Sequence, residues 1–310
     1  MIFQLTLLGT NSALPAHGRF PTAQVLNVQE SYYLIDCGEG TQIQMNKYPV
    51  KRSKINHIFI SHLHGDHVFG LVGLLTSYNL NGRTAPLDIF GPEGLKDLIR
   101  LQLKYSYSII NFPLTIHTID PTKHHKIFEN KILEVYSIPL KHRVPTSGFL
   151  FIEKQRAPNI KADQIKKYDL SVPQILAAKR GEDVALQDGT VIPNEVLVSP
   201  APKPRSYAYC SDTMYYEPVI PIIQNADLLY HESTFLKSEQ DKAAFTMHST
   251  TTDAARIAKL GNVKKLILGH YSSRYRDIEV FREEATEIFP HTIAGIEGMQ
   301  IDVPFEARSI

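Results

Sequence analysis

The 310-residue sequence has no tryptophan, only two cysteines and no long hydrophobic run. Cys37 and Cys210 lie far apart in sequence, so neither a disulfide framework nor a thiolate zinc site is supported. This cysteine usage favours a reducing, cytoplasmic setting. No apolar run approaches the roughly 20 residues needed to cross a bilayer, so we expect no membrane association.

The sequence also lacks an excess of charge of one sign. Its 33 lysines and arginines against 32 aspartates and glutamates leave a net charge of +1, which excludes strong attraction of nucleic acid by the whole-molecule field. A polyanionic partner would have to be held by local groups. The 15 tyrosines and 14 phenylalanines still offer stacking surfaces, so composition neither requires nor excludes RNA.

Short β-rich runs and helical periodicity alternate at both ends of the chain, which predicts a layered α/β architecture. In the first part, strands are predicted for FQLTLLG, AQVLNV, SYYLID, INHIFISH, LDIF and ILEVYSI, and helices for 71–79 and 95–105. After residue 205, strands are predicted for SYAYCSD, DLLYHES and KKLILGH, and helices for about 252–260 and 278–288.

Residues 153–204 interrupt this alternation with many charges, six prolines and no long apolar stretch. A surface insertion or linker is the simplest interpretation of such a composition. The alternative is a substrate-holding arm whose basic residues are partly offset by acidic ones. We expect the segment to be an excursion from the main fold.

The segment HLHGDH at 62–67 places four potential metal ligands in six positions, directly after an apolar strand. Packing does not explain such a density of histidine and aspartate. Zinc binds imidazole and carboxylate ligands, and a catalytic zinc keeps one position open for water. His62 and His64 can face one ion, and Asp66 and His67 a second.

Four local ligands cannot complete two zinc shells, so further ligands are expected at the ends of later strands. His142 follows EVYSIPLK, Asp212 closes SYAYCSD and His270 closes KKLILGH. Each is weak alone, because a lone histidine is more often structural and Asp212 could cap a helix. Their shared placement after apolar strands favours a single site.

These residues resemble, in order, the motifs of the metallo-β-lactamase superfamily, in which Asp36 of YLIDCGEGTQ fills the position of an early aspartate. Within it the chain resembles the ribonuclease Z family through LLGTNSALPAHGRFPT, DCGEGTQIQM, ISHLHGDHVFGL, FGPEGL, CSDT, HEST, HST and SSRY. HEST at 231–234 and HST at 248–250 discriminate most, although either alone could start a helix. The resemblance implies that residues 1–310 form one α/β domain, a four-layer αβ/βα sandwich, with an inserted protruding arm at 153–204.

The resemblance also implies a zinc-dependent endoribonuclease that removes the 3′ trailer from precursor tRNA and leaves a 3′ hydroxyl on the tRNA. Two Zn²⁺ per subunit are implied, one held by His62, His64, His142 and Asp212 and the other by Asp66, His67, Asp212 and His270.

The further roles follow from the same resemblance. Asp66 orients the attacking water and takes its proton. His248 protonates the departing 3′ oxygen with Glu232 as its partner, and Asp36 fixes a ligand imidazole.

The arm departs from the glycine- and proline-rich clamp of bacterial family members, since its first glycine is Gly181. Its position, length and basic residues still match, and Lys161, Lys166 and Lys167 are candidate tRNA contacts. Arg274 in YSSRYRD is a candidate phosphate contact, with a plain surface arginine as the equal alternative. The family forms homodimers in which one protomer's arm presents tRNA to the other's site, and a two-fold dimer is the default expectation.

Three other functions compete with this one. A different two-zinc hydrolase, such as a small-molecule phosphodiesterase, lactamase or thioesterase, would not need the arm, HEST and HST. A metal-dependent RNA-binding protein would not need His248 and Glu232 beside a full ligand set. A di-iron redox member usually replaces the second motif histidine with an acidic residue and carries a flavin domain, and neither feature is present.

Overall fold

The structure, a computed structural model, describes residues 1–305. It divides into two compact units, the first formed by Met1–Ile152 and Arg205–Val303. The second unit is formed by Glu153–Pro204 together with Pro304 and Phe305 among the described residues. Within the described residues, no helix has the length and apolar character needed to cross a membrane.

The first third of the chain supplies most of one sheet. Its strands are β1 (Phe3–Gly9), β2 (Ala23–Val28), β3 (Ser31–Ile35), β4 (Ile55–Phe59), β5 (Leu87–Gly91) and β6 (Leu114–Thr118). Its helices are α1 (Thr41–Lys47), α2 (Gly65–Val68), α3 (Leu71–Leu80) and α4 (Leu95–Tyr105). β1 to β3 are antiparallel, whereas β3 to β6 are parallel and are separated by helices. The predicted elements of this region are confirmed.

The middle of the chain begins a second sheet and then enters the second unit. The sheet strands are β7 (Lys126–Glu129), β8 (Leu133–Pro139) and β9 (Ser147–Glu153). The second unit contains β10 (Asn159–Ile160), α5 (Ala162–Lys167), α6 (Val172–Lys179), β11 (Val184–Ala185), β12 (Val191–Ile192), α7 (Asn194–Leu197) and β13 (Val198–Ser199).

The remaining elements complete both sheets. They are β14 (Ser206–Cys210), β15 (Leu228–Glu232), α8 (Gln240–Thr246), α9 (Thr251–Leu260), β16 (Leu266–Gly269), α10 (Glu279–Thr286), β17 (Thr292–Ala294) and β18 (Gln300–Asp302). The first sheet has the order β18-β1-β2-β3-β4-β5-β6, and the second has the order β17-β16-β15-β14-β9-β8-β7. The predicted strands and helices after residue 205 are confirmed.

The inner faces of the two sheets share one apolar core. It joins side chains such as Tyr33 and Phe59 of the first sheet to Phe149 and Tyr209 of the second. Separate clusters pack α3 and α4 against the outer face of the first sheet, and α9 and α10 against that of the second. Helices therefore cover both outer faces, and the expected four-layer αβ/βα sandwich is confirmed.

The second unit is folded around a small core of its own. Leu170, Ala178, Ile192 and Leu197 are buried together there, although the sequence shows no long apolar run. A capping box at the start of α6 pairs Ser171 with Gln174. This part of the chain therefore consists of short helices and strands packed around a small apolar core, and it is not an extended segment without secondary structure.

Candidate metal centre

The ends of parallel strands bring the predicted site residues to one edge of each sheet. In the first sheet, Ile35 is paired with Phe59, so Asp36 and the HLHGDH segment follow neighbouring strands. In the second sheet β14, β15 and β16 run parallel, and Glu232 is paired with Gly269. The residues that follow these strands therefore collect at a single edge.

Three site residues have left-handed backbone conformations. The φ angles are 56° at Asp36, 57° at Asp212 and 60° at His270. Residues other than glycine rarely adopt this region, and such positions concentrate at functional sites. Each of the three turns the chain abruptly after a buried strand and directs its side chain toward the shared edge.

The two carboxylate oxygens of Asp212 face two different sets of histidines. Oδ2 lies 3.4 Å from His62 Nε2 and 3.6 Å from His142 Nε2. Oδ1 lies 3.1 Å from both His67 Nε2 and His270 Nε2. The atoms that could bind a metal, one from each residue, lie within 4.8 Å of one another in the set His62, His64, His142 and Asp212. The same holds for the set Asp66, His67 and His270.

The hydrogen bonds of His142 and His270 are made by Nδ1, so in the neutral ring the lone pair lies on the nitrogen that faces Asp212. His142 Nδ1 donates to the Met247 carbonyl at 3.0 Å, and His270 Nδ1 donates to Thr234 Oγ1 at 2.9 Å. With each Nδ1 serving as donor, Nε2 presents a lone pair. The buried His62 Nε2 has no hydrogen-bond partner, which leaves a polar atom unsatisfied without a cation.

The spacing of these atoms fits a metal ion. Tetrahedral zinc with ligands at about 2.0–2.1 Å separates its ligand atoms by roughly 3.3–3.4 Å. The facing nitrogens of His67 and His270 are 3.3 Å apart, and those of His64 and His142 are 3.4 Å apart. The side chains thus fit two cation positions on either side of Asp212.

The electrostatics of the cluster favour positive charge. Burial alone would lower the pKa of His67, but the charges of Asp212, Asp66 and Asp36 raise it well above its ordinary value. Burial likewise raises the pKa of Asp212, and the surrounding His270, His67 and His62 lower it well below its usual range. The carboxylates of Asp212 and Asp66, set among imidazole nitrogens, form a suitable environment for divalent cations.

Asp36 supports the ligands without facing the cations. Its Oδ1 accepts the Ser61 amide at 2.7 Å, and its Oδ2 accepts His67 Nδ1 at 2.7 Å. Oδ2 also accepts the hydroxyls of Ser61 at 2.9 Å and Tyr209 at 2.6 Å. These bonds fix the tautomer and orientation of His67, as carboxylates behind metal-binding histidines commonly do.

Glu232 and His248 form a second polar group at the same edge. Glu232 is fully buried, and its Oε1 accepts His248 Nδ1 at 2.8 Å. Its other bonds come from the amides of Thr213 and Ser249 and the hydroxyl of Thr234. Burial lowers the pKa of His248, but the charge of Glu232 and its hydrogen bond outweigh this and raise the pKa to about 9.

His248 also lies close enough to Asp212 and His270 to count as a possible ligand. A raised pKa and a carboxylate on Nδ1 are features that His248 shares with His67, so they do not separate a ligand from a proton donor. With Nδ1 bonded to Glu232, Nε2 is the nitrogen that remains for a metal or a substrate atom.

An open cavity of about 410 Å³ gives access to this edge. Its walls include the ligands His64, Asp66, Asp212 and His270, together with His248. The remaining lining residues are Ser12, Ala13, Pro21, Glu39, Gly65 and Phe69. A substrate that enters the cavity therefore meets the candidate cations and the candidate proton donor together.

Several supporting groups are absent from the sequence-based prediction. Thr234 links His270 to Glu232, since it accepts from the first and donates to the second at 2.6 Å. The Ala13 amide donates to Asp66 Oδ2 at 2.7 Å. Thr234 belongs to the HEST motif, so a supporting role for it could have been predicted from the sequence. The contact of the Ala13 amide could not, because a backbone amide has no sequence signature.

The predicted tRNA contacts differ in exposure. Arg274 is exposed and is not among the lining residues. In the second unit Lys166 and Lys167 are exposed, while Lys161 Nζ donates to the Glu195 and Val196 carbonyls at 3.1 and 2.9 Å. His231 is buried on β15, with Nδ1 donating to the Glu232 carbonyl at 2.8 Å.

Known proteins similar to this chain share its length and fold. Residues 3–196 match the family model described as "Anti-Pycsar protein Apyc1". A protein of Parabacteroides distasonis named "Ribonuclease Z" is 45% identical over 97% of this chain and 99% of its own.

Solved structures show the same fold. Human tRNase Z, short form, superposes with a TM-score of 0.71 and 28% identity, covering 97% of this chain and 99% of that one. The metallo-β-lactamase fold protein YhfI from Bacillus subtilis, at 18% identity, has a TM-score of 0.68 and covers 97% and 100% of the two chains.

Proposed function

The chain belongs to the ribonuclease Z family and is an endoribonuclease of tRNA 3′ processing, and we propose that it cleaves with two zinc ions at the centre described above. It belongs equally to the Apyc1 family over residues 3–196, but that match ends before Asp212, Glu232, His248 and His270. The ribonuclease Z relative aligns with 97% of the chain. A small-molecule phosphodiesterase is therefore the less favoured alternative.

The observation that carries the metal proposal is the carboxylate of Asp212 between two imidazole sets. In this assignment one zinc is held by His62, His64, His142 and Asp212, and the other by Asp66, His67, Asp212 and His270. The ligands are nitrogen and oxygen atoms without thiolate, a set that zinc accepts readily. Metal analysis of the purified protein would test both identity and count, with two zinc ions per chain expected.

Divalent cations at such a site supply Lewis-acid activation of water and offset the negative charge of the reacting phosphate. Asp66 orients the attacking water and receives its proton. The Ala13 amide holds one oxygen of this carboxylate. Although burial raises the pKa of Asp66, the neighbouring His67 and His270 lower it below its usual range, which keeps the carboxylate ionised.

His248 donates the proton that the departing 3′ oxygen requires. Its imidazole is about 16% exposed and lines the cavity, so it can reach a substrate atom. Glu232 accepts the hydrogen bond of Nδ1, on the opposite edge of the imidazole from Nε2. This bond fixes the tautomer and favours the imidazolium. The products are a 3′ hydroxyl on the tRNA and a 5′ phosphate on the trailer.

The arm at 153–204 is proposed to bind the tRNA away from the reacting phosphate. Lys166 and Lys167, in the last turn of α5, are exposed and available to phosphates. Lys161 is assigned to the same role, although its ammonium already donates to two carbonyl groups. Arg274 is the corresponding candidate in the first unit.

We further propose that the enzyme is a homodimer in the cytoplasm. The supports are the two-fold symmetry that most homo-oligomers adopt, the cytoplasmic site of tRNA maturation in bacteria, and two buried free cysteines. Light scattering during size-exclusion chromatography should give twice the mass of 35.0 kDa, and a monomer mass would contradict the assignment.

The decisive experiment incubates zinc-loaded protein with a 3′-extended precursor tRNA, beside an Asp212→Ala control, and maps both product ends. We expect one cut directly after the discriminator nucleotide, with a 3′ hydroxyl, and no cut in the control. Hydrolysis of a small phosphodiester without any cleavage of the precursor would instead support the alternative substrate class.

A further inference from the structure

Phe69 is a large apolar side chain that lies exposed in the wall of the candidate active-site cavity. Its relative exposure is 66%, and it lines the cavity with Asp66, Asp212 and His248. Among the described residues, the apolar core clusters do not include it. Exposure alone does not indicate a ligand, but an exposed aromatic surface in the wall of a cavity with convergent polar groups is typical of ligand sites.

The ring is held in place although it is exposed. A Cβ atom added at Gly65 would lie 2.3 Å from Phe69 Cε2 and 2.6 Å from Cδ2. The ring therefore packs over the bare backbone of Gly65, between His64 and Asp66. The Phe69 amide donates to the Gly65 carbonyl at 2.9 Å, which fixes the backbone at the end of α2.

A fixed aromatic surface beside a phosphate-cleaving centre suits one kind of ligand group. Nucleobases stack on aromatic side chains in single-stranded RNA, and such stacking tolerates any base because each has a π face. The cavity lining also includes the apolar Pro21 and Ala13, beside the polar Ser12 and Glu39. Because 66% of Phe69 is exposed, surface of the ring is available to a base.

We propose that Phe69 is a substrate-positioning residue that stacks on a nucleobase next to the scissile phosphodiester. The inference rests on the proposed cleavage of precursor tRNA. Stacking at this place fixes the register of the strand relative to His248 and the metal ligands. Phe69 thereby contributes to the rate and the precision of the cut without taking part in proton transfer.

The first test compares Phe69→Ala, Phe69→Leu and Phe69→Trp on a precursor tRNA, with Tyr105→Ala as a control for loss of an exposed aromatic outside the cavity. Stacking is worth about 1–3 kcal/mol per base, so kcat/KM should fall roughly 5- to 150-fold in the alanine variant. We expect the leucine variant to fall similarly because it is not aromatic, and the tryptophan variant and the control to retain activity. Metal content and melting temperature should be unchanged.

The second test places an abasic nucleotide on either side of the cleaved bond. With the abasic nucleotide at the stacking position, the kcat/KM of the wild type should fall about as much as Phe69→Ala lowers it on the intact precursor. The kcat/KM of Phe69→Ala should fall little further on this abasic precursor. An alanine defect that persists undiminished on both abasic precursors would show a structural role and overturn the inference.

A binding readout is available because the chain has no tryptophan. Phe69→Trp introduces a single tryptophan, which can be excited selectively over the tyrosines, and adding His248→Ala slows cleavage during titration. Precursor tRNA should quench its emission, and the abasic precursor should not. Unchanged emission on saturation, or an active Phe69→Leu, would overturn the stacking role, whereas a wild-type protein that cleaves no precursor would instead refute the proposed function.

Discussion

If Glu232 acts only through His248, removing either group should remove the same catalytic contribution. Positioned proton transfer is typically worth about 10²- to 10⁴-fold in rate, or roughly 3–5 kcal/mol. We expect His248→Ala to reduce kcat on precursor tRNA within this range. Glu232→Gln should lose no more than that, because the glutamine oxygen can still accept the 2.8 Å bond from His248 while the charge is lost.

The informative variant is the double one. Groups that work as a unit are strongly non-additive, so Glu232→Gln should have little further effect once His248 is alanine. Glu232 also accepts hydrogen bonds from Thr213, Thr234 and Ser249. The melting temperature of the Glu232→Gln variant must therefore be recorded, to separate local disruption from loss of catalysis. Matched zinc content in all three variants is the second control.

A substrate with a good leaving group completes the assay. A p-nitrophenyl phosphodiester releases an anion that needs no protonation, so the His248→Ala defect should nearly vanish on it. An equal loss on this ester and on the precursor would contradict proton donation. Loss of zinc in His248→Ala would assign this histidine to the metal set instead.

Three further outcomes follow from the structure. Asp36→Asn should lower metal affinity about 10- to 100-fold in chelator competition, since Asp36 holds His67 Nδ1, and an unchanged affinity would contradict its supporting role. Alanine at both Lys166 and Lys167 should reduce the salt dependence of precursor binding by about one unit of slope per lysine, while sparing a small phosphodiester. Burial raises the pKa of Glu297 to about 6, so wild-type stability should fall as pH rises through 6, and Glu297→Gln should remove that part of the fall in melting temperature.

The sequence predicts the candidate metal ligands more completely than the groups that support them. His62, His64, Asp66 and His67 are adjacent in sequence, so their density alone marks a site. The distant ligands follow from one physical rule, since parallel strands deliver their last residues to one edge. The supports Ser61, Thr234 and Tyr209 are common residue types, and only the register of the folded sheets selects them.

The backbone conformation at the strand ends could not be predicted from the sequence either. Asp36, Asp212 and His270 adopt left-handed conformations that cost of order 1–3 kcal/mol each. A sequence pattern registers such a position most clearly when it holds glycine, and here all three positions hold candidate site residues. The cost is offset where the side chain is bound, as at Asp36, which accepts four hydrogen bonds.

The glycine within HLHGDH is explained by a close contact and not by a positive φ angle. Gly65 begins α2 and does not have a positive φ, so its backbone conformation is open to other residues. What excludes a side chain is the ring of Phe69, 2.3 Å from where a Cβ would lie. Gly65→Ala should therefore displace the ring, and its effect on precursor cleavage should match that of Phe69→Ala if the ring rather than the loop backbone is what the substrate needs.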